Sequence, residues 1–154
     1  MKGLKIKDIS VKAKQGQYGI VFTSWNPSIV QDLLKETKKE LISQGVDEAN
    51  IYLKEVPGAF ELPLATQFMA EKEGILSVIS LGAIIRGDTP HFEFISSSCL
   101  EGLQEVSLKT RIPVICGVLT TNTIEQAEER SDPNKMNKGK EFALTALNMV
   151  DSLS

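Results

Sequence analysis

Residues 76–91 read LSVISLGAIIRGDTPH and contain three structural signals in succession. The apolar run at 76–81 is typical of a buried parallel strand. We expect a glycine turn to follow it, with backbone N–H groups presented before a helix that begins near Pro90. An anion fits at such a helix N-terminus. His91, the only histidine of the chain, is predicted one turn into that helix, where it would transfer protons. The stretch predicts a small-molecule reaction site at the end of a strand.

The composition fits a single domain over residues 1–154 with one sizeable core. A net charge of −3 argues against nucleic acid or an anionic membrane surface as a bulk partner. No apolar run approaches the length of a membrane span and the N-terminus has no signal-peptide core, so a cytoplasmic location is expected. Cys99 and Cys116 are expected to be free, buried thiols rather than a disulfide or a reactive pair. Their spacing fits no metal motif.

Strand and helix patterns alternate along the chain. The predicted strands are at 18–23, 51–56, 76–81 and 113–119. After the first strand, Asn26 is predicted to cap a helix with Pro27 at its first position, and Gly45 is predicted to end it. Further helices are predicted at 62–70, 90–109, 124–131 and 138–150. The alternation predicts an α/β fold, a three-layer α/β/α sandwich with a four-stranded parallel sheet, which is flavodoxin-like. Residues 4–10 alternate weakly, so residues 1–16 are predicted to be an edge strand or an arm that adds to a neighbouring subunit's sheet.

Unusual residues follow all four predicted strands, at 24–26, 57–61, 87–91 and 120–123. Ligands bind at the carboxyl ends of strands in open parallel sheets, so this convergence predicts one ligand site. Trp25 either packs on its own helix or stacks on a planar ring. Glu61 either complements a helix dipole or accepts hydrogen bonds from substrate hydroxyls. Arg130 either belongs to a solvated helix face or supplies a bidentate contact to phosphate.

Several familiar motifs are disfavoured. Arg86-Gly87-Asp88 matches an adhesion tripeptide, but nothing in the sequence indicates secretion. Residues 137–140 do not form a phosphate loop, because Asn134 replaces the required glycine and no Ser or Thr follows Lys140. No GxGxxG pattern follows the first strand, which disfavours dinucleotide binding.

Four groups of residues resemble the 6,7-dimethyl-8-ribityllumazine synthase family. They are VPGAFELP at 56–63, GAIIRGDTPH at 82–91, GVLTT at 117–121 with IEQA at 124–127 and Glu129-Arg130, and NKG at 137–139. The groups occur in family order, and the resemblance covers nearly the whole chain from residue 18 to residue 150. It implies the penultimate step of riboflavin synthesis. In that step 5-amino-6-(D-ribitylamino)uracil condenses with 3,4-dihydroxy-2-butanone 4-phosphate, and phosphate and water are lost.

The resemblance also implies residue roles and partners. His91 would be the catalytic proton-transfer residue. The ribitylaminouracil would be contacted by Trp25, Ala59, Phe60, Glu61, Ala83, Ile84, Ile85, Cys116 and Lys138. The butanone phosphate would be bound by Gly87, Asp88, Thr89 and Arg130. No metal or organic cofactor is implied, and neither nucleic acid nor membrane. The implied partners are the two substrates, further copies in a homopentamer, and riboflavin synthase.

Three positions depart from the family pattern. Ser24 replaces a common arginine before the aromatic residue, which puts a local salt bridge in doubt. Cys116 stands where many members have a phenylalanine contributed across the subunit interface, so one wall of the pocket is expected to be smaller. Residues 131–136 replace a glycine-containing segment that helps decide whether pentamers assemble into a sixty-subunit shell. Its unchanged length favours the shell, while its altered chemistry leaves that question open.

Two other functions remain as alternatives. A phosphosugar isomerase or lyase would use the same anion turn and His91 but would not need Trp25. A non-catalytic flavin or lumazine carrier of flavodoxin-like fold would bind a flavin tightly, with Ser- and Thr-rich phosphate contacts after the first strand. A structural shell protein is compatible with the enzyme.

Overall fold

The structure, a computed structural model, describes residues 8–154 and contains a four-stranded, all-parallel sheet in this part of the chain. The strands lie in the order β2-β1-β3-β4. Their bounds are Gln17–Thr23 for β1, Ile51–Val56 for β2, Ile75–Ile85 for β3 and Val114–Thr121 for β4. The predicted parallel sheet is therefore confirmed.

Helices cover both faces of the sheet, as the three-layer prediction requires. Their bounds are Val11–Lys14 for α1, Pro27–Ser43 for α2, Leu62–Ala70 for α3, His91–Thr110 for α4, Ile124–Ser131 for α5 and Lys138–Ser152 for α6. Single 3₁₀ turns span Glu48–Asn50 and Ala59–Glu61. Helices α1, α2, α5 and α6 pack on one face, and α3 and α4 pack on the other.

The alternation of side chains along β1 and β3 creates two cores. On β1, Tyr18 and Ile20 point into the core beneath α2 and α6, whereas Val21 points into the core beneath α3 and α4. On β3, Ile79 and Val78 divide between the same two cores. Both central strands are therefore apolar on both faces, which is typical of a parallel sheet covered by helices on each side.

Strand β3 is longer than predicted. Residues 82–85 do not form a turn but continue the strand, paired with β4 from Gly82–Val118 to Ile85–Thr121. The predicted strand end at residue 81 was wrong because β4 extends far enough to pair with residues 82–85 and hold them in the sheet. His91 is also not one turn into its helix but is the first residue of α4, after Pro90 at the N-cap position.

The predicted side-chain cap by Asn26 is absent from the described part of the chain. Asn26 occupies the N-cap position of α2 but adopts a left-handed backbone with φ of 56° and makes no side-chain cap hydrogen bond. Its Nδ2 instead donates to the carbonyl oxygen of Ala83 on β3, at 3.0 Å. The predicted positions of Asn26 at the N-cap and of Pro27 at the start of the helix are confirmed. The side-chain cap is missing because an acceptor on β3 takes the side chain that a local cap would have used.

The start of the described chain contacts its end. Ser10 caps the short helix α1, and its backbone N–H donates to Asp151 Oδ2 on α6 at 3.0 Å. Within the predicted arm or edge strand at 1–16, residues 1–7 lie outside the described residues, and Val11–Lys14 is helical. No helix among the described residues is long and apolar enough to cross a membrane.

Helices α2 and α6 meet at a glycine. A Cβ atom added at Gly139 would lie 2.7 Å from the Leu33 carbonyl oxygen and 3.2 Å from the Thr37 backbone nitrogen, both on α2. The Thr37 hydroxyl also donates to the Gly139 carbonyl oxygen at 3.0 Å. The contact is between backbones, so α2 would have to move to admit a side chain.

We predict that Gly139→Ala destabilises the protein by about 1–3 kcal/mol through this overpacking. Alanine is the better helix former by about 1 kcal/mol, so a net loss would mean that the packing effect outweighs propensity. Urea unfolding measures the change. Gly87→Ala is the control, because a Cβ atom added there has nothing within 4 Å. Equal stability of the two variants would contradict the prediction.

Candidate active site

A cavity of about 510 Å³ lies at the carboxyl ends of β1, β2 and β3. Strand β1 has β2 on one side and β3 on the other, so the chain order reverses between β1 and β3. In open parallel sheets, the crevice at such a switch point is where ligands bind. The volume lies within the usual range of small-molecule sites, about 300–1,000 Å³.

The unequal lengths of β1 and β3 form one wall of this cavity. In residues 8–154, pairing between these strands ends at Phe22–Leu81, whereas β3 continues to Ile85. The part of β3 beyond β1 therefore presents one backbone edge to the cavity rather than to a neighbouring strand. The carbonyl oxygen of Ala83 on this segment accepts the Asn26 hydrogen bond. Backbone groups near it are placed to recognise a polar ligand.

Two aromatic side chains line the cavity while remaining largely exposed. Trp25 is 71% exposed and Phe60 is 65% exposed. The Trp25 backbone N–H donates to the Pro57 carbonyl oxygen at 3.3 Å, which joins the loop after β1 to the loop after β2. The adjacent Ser24 hydroxyl donates to Glu55 Oε1 at 2.9 Å. The exposure of Trp25 does not fit tight packing on its own helix, and it leaves the ring accessible to a ligand.

Glu61 belongs to the turn that precedes α3. Its Oε2 accepts a hydrogen bond from the Gly58 backbone N–H at 3.0 Å, and its side chain also lines the cavity. The carboxylate is exposed. The contact with Gly58 satisfies a donor at the start of the 3₁₀ turn, and a carboxylate has acceptor capacity left for a ligand.

His91 lines the cavity from the start of α4. Its backbone N–H is 3.4 Å from Thr89 Oγ1. Gly87, Asp88 and Thr89 form the exposed turn between β3 and α4, adjacent to the cavity but not among its lining residues. Because the turn precedes a helix of 20 residues, its N–H groups lie at the positive end of a helix dipole.

Three predicted site residues lie away from this cavity. Cys116 is exposed on β4, the sheet edge opposite β2, although a buried thiol was predicted. Arg130 is half-buried on α5, and its Nη1 donates to the Gln126 carbonyl oxygen at 2.9 Å. Lys138, at the start of α6, pairs with Glu141 at 2.7 Å. None of these three side chains borders the cavity within residues 8–154.

The cavity therefore collects part of the predicted set together with residues that sequence reasoning missed. The predicted residues among its lining are Trp25, Ala59, Phe60, Glu61, Ala83, Ile84, Ile85 and His91. The missed residues are Thr23, Asn26, Pro57, Gly58 and Ile95. The sequence held a signal for most of them. The loops that contain Asn26, Pro57 and Gly58 were predicted to converge on one ligand site. Ile95 follows His91 by about one helical turn, so it lies on the same face of α4.

One comparison with known proteins bears on this site. A family model described as 6,7-dimethyl-8-ribityllumazine synthase matches residues 15–154. The chain belongs to the lumazine synthase family. The predicted resemblance is confirmed, and the match includes all of the cavity-lining residues. Lumazine synthases are transferases of riboflavin biosynthesis that bind substrates and typically assemble as oligomers.

The two thiols of this lumazine synthase family member differ in environment. Cys99 is buried between α4 and the sheet, whereas Cys116 is exposed, and both are free. Burial raises the pKa of the Cys99 thiol to about 12. Since the thiolate is the reactive form, Cys99 is unsuited to nucleophilic catalysis near neutral pH.

We predict that Cys99 of a Cys116→Ser variant does not react with a thiol-specific disulfide reagent at pH 8 while the protein is folded. Burial, the larger cause of the raised pKa of Cys99, is unchanged in this variant, so only a very small fraction of the thiol is ionised at that pH. Unfolding in guanidinium returns the pKa towards its ordinary value and should release one reactive thiol per chain. Rapid labelling of the native variant would contradict the burial of Cys99.

Proposed function

We propose that the protein condenses 5-amino-6-(D-ribitylamino)uracil with 3,4-dihydroxy-2-butanone 4-phosphate to 6,7-dimethyl-8-ribityllumazine, with release of phosphate and water. The observation that carries the proposal is the convergence of Trp25, Phe60, Glu61 and His91 on one cavity in a member of the lumazine synthase family. Two aromatic rings, a carboxylate, an imidazole and a strand edge suit a planar ring with a polyhydroxylated chain.

The uracil half of the reaction uses the cavity described above. We propose that Trp25 stacks on the pyrimidine and that the backbone of residues 83–85 reads its polar edge. Ala59 and Phe60 would contact the ring and the ribityl chain, and Glu61 would accept hydrogen bonds from ribityl hydroxyls. In support, these groups come from the ends of three neighbouring strands, so the sheet fixes their separations.

The chemistry consists of proton transfers around reactive carbonyl and amino groups. The 5-amino group forms an imine with the ketone, phosphate is eliminated and the second ring closes. His91 would accept and return protons in these steps. Because both substrates are intrinsically reactive, much of the rate enhancement is expected from holding them together in the correct orientation.

The phosphate half would involve the turn at residues 87–89 and Arg130. N–H groups at the start of α4 suit an anion, and phosphate is a better leaving group when its charge is stabilised. One donor of Arg130 is occupied by the Gln126 carbonyl oxygen. A guanidinium has five N–H donors, so Arg130 retains the capacity for a bidentate phosphate contact.

We propose a homopentamer as the active form, in which a neighbouring subunit completes the cavity with residues that come late in the chain, Cys116, Arg130 and Lys138. In support, none of these three side chains borders the cavity of its own chain within residues 8–154. Phe68, Phe94 and Leu108 are each at least 70% exposed, which is unusual unless another surface covers them. Riboflavin synthase as a partner and a sixty-subunit shell are further parts of this proposal. Sedimentation velocity distinguishes one, five and sixty chains.

The direct test of function is to mix both substrates with the protein and to follow lumazine absorbance and fluorescence together with phosphate release. We expect both products to form in equal amounts and faster than in the protein-free mixture. Turnover of the phosphosugar alone would favour an isomerase or lyase. Tight flavin binding without lumazine formation would favour a carrier.

We predict that Arg130→Ala raises the Michaelis constant for the butanone phosphate much more than that for the ribitylaminouracil. Loss of a charge-assisted contact typically costs about 1.5–3 kcal/mol, or roughly 10- to 150-fold. Separate Michaelis constants measure the effect. Lys135→Ala is the matched control, since Lys135 is an exposed cation shortly after α5. Equal changes for both substrates would assign Arg130 a structural role.

We predict that His91→Ala lowers the turnover number while leaving affinity for a ribityl-pyrimidine analogue nearly intact. General acid–base catalysis is typically worth about 10²–10⁴-fold, and we expect the low end or less because the substrates also condense unaided. Turnover and analogue affinity are measured on the same preparation. Unchanged turnover would remove His91 from the mechanism, and equal loss of analogue affinity would make it a binding residue.

A further inference from the structure

The turn between β3 and α4 has few anchors of its own. Residues 87–90 are exposed, and a Cβ atom added at Gly87 would have nothing within 4 Å. Within residues 8–154, no backbone N–H group of residues 87–89 donates a hydrogen bond. An exposed segment that contains a glycine loses much conformational freedom when it is held in one geometry. The position of this turn, and of His91 after it, therefore depends on the residues at its two ends.

Arg86, the residue before this turn, reaches across it to α4. Its guanidinium carbon lies 4.4 Å from the centre of the Phe92 ring, and its Nη1 pairs with the Glu93 carboxylate. The hydrogen bond from Arg86 lowers the pKa of Glu93, so the carboxylate stays ionised at neutral pH. Phe92 and Glu93 directly follow His91 in the first turn of α4. One side chain thus joins the two ends of segment 87–91.

Arg86 is also fixed to the end of β4. Its backbone N–H donates to the carbonyl oxygen of Thr121 at 2.9 Å, and Thr121 is the last β4 residue that pairs with β3. Its Nε donates to Oδ1 of Asn122, the residue after β4, at 2.8 Å. Asn122 is held in its turn, because its backbone N–H donates to Gln126 Oε1 at 2.8 Å. The first turn of α4 is therefore connected through Arg86 to the end of the sheet.

We propose that Arg86 is a positioning residue that holds the turn at 87–89 and His91 in place at the end of β3. This inference rests on the proposed function, in which the turn binds phosphate and His91 transfers protons. Arg86 is not among the residues that line the cavity, and its Nε and Nη1 donors are taken by Asn122 and Glu93. It therefore acts through the turn and His91 rather than on a substrate.

The contacts explain why this position needs an arginine. A planar guanidinium can donate from Nε and Nη1 in different directions while it stacks on an aromatic ring. A lysine ammonium keeps the positive charge beside Glu93 but cannot make the three contacts together. The side chains of Arg86 and Glu93 are 42% and 50% exposed, so their ion pair adds little to overall stability. We therefore expect loss of Arg86 to affect the site more than the fold.

Two variants cut the connection at different points. Asn122→Ala removes the acceptor beside β4 without a change in charge, and Arg86→Lys keeps the charge but loses the planar fork. The measurements are the turnover number, the Michaelis constant for each substrate, and the melting temperature. We expect each variant to lower the turnover number and to raise the Michaelis constant for the butanone phosphate, each by about tenfold, because the reacting groups are misplaced. The Michaelis constant for the ribitylaminouracil and the melting temperature should change little.

The same exchanges at the opposite end of the sheet are the controls. Arg111→Lys lies between α4 and β4, and Asn50→Ala lies directly before β2. Both positions are at the amino ends of strands, away from the cavity at the carboxyl ends. Neither control should change the turnover number or the Michaelis constants.

A double variant tests whether Arg86 acts through His91. If it does, Arg86→Lys in a His91→Ala background should lower the turnover number no further than His91→Ala alone, because coupled residues do not contribute additively. Additive losses would overturn the proposal, since Arg86 would then act independently of His91.

The measurements separate failure of the positioning role from failure of the proposed function. If the wild-type protein forms no lumazine, the proposed function fails and the positioning role fails with it. If His91→Ala lowers turnover while Arg86→Lys and Asn122→Ala are normal, the function stands and the positioning role is overturned. A loss in Arg86→Lys with normal kinetics in Asn122→Ala would make Arg86 a direct ligand. Parallel losses of melting temperature and of affinity for both substrates would make the network structural.

Discussion

Strand β3 pairs with β1 only as far as Leu81 but with β4 as far as Ile85, and this unequal pairing shapes the whole candidate site. A strand edge that is released from one neighbour yet held by the other is rigid and still offers backbone groups to a ligand. Asn26 takes up one of those groups at Ala83 and thereby fixes the loop that carries Trp25. The aromatic wall and the polar wall of the cavity consequently depend on the same four residues of β3.

The sequence was sufficient to predict the architecture, because local patterns determine it. Each signal lies within a few residues of the feature that it predicts, as with the apolar strands, the proline after Asn26 and the glycine after α2. Strand β2 and helices α3 and α5 were predicted with the bounds that the structure gives them. The end of β3 was mispredicted, since its length depends on β4, more than thirty residues later in the chain.

The site was only partly predictable for the same reason. Residues in loops after strands could be assigned to one edge of the sheet from topology alone, which is why Trp25, Phe60 and His91 were found. The hydrogen bond from Asn26 to Ala83 and that from Arg86 to Asn122 depend on contacts between separate elements. The sequence marked Arg86 only as part of an adhesion-like tripeptide. No pattern in the neighbouring residues predicts its stacking on Phe92 or its hydrogen bond to Asn122.

The two cores differ in how much of the chain they need, and this has a consequence for synthesis on the ribosome. The buried residues of the core beneath α3 and α4 all lie between Val21 and Val118. The buried residues of the core beneath α2 and α6 extend from Ile9 to Val150, and Ser10 donates a hydrogen bond to Asp151 beside this core. During translation, α3 and α4 can therefore cover one face of the sheet before α6 has been synthesised to cover the other. A nascent chain with that apolar face open is exposed to aggregation until its last helix closes over it.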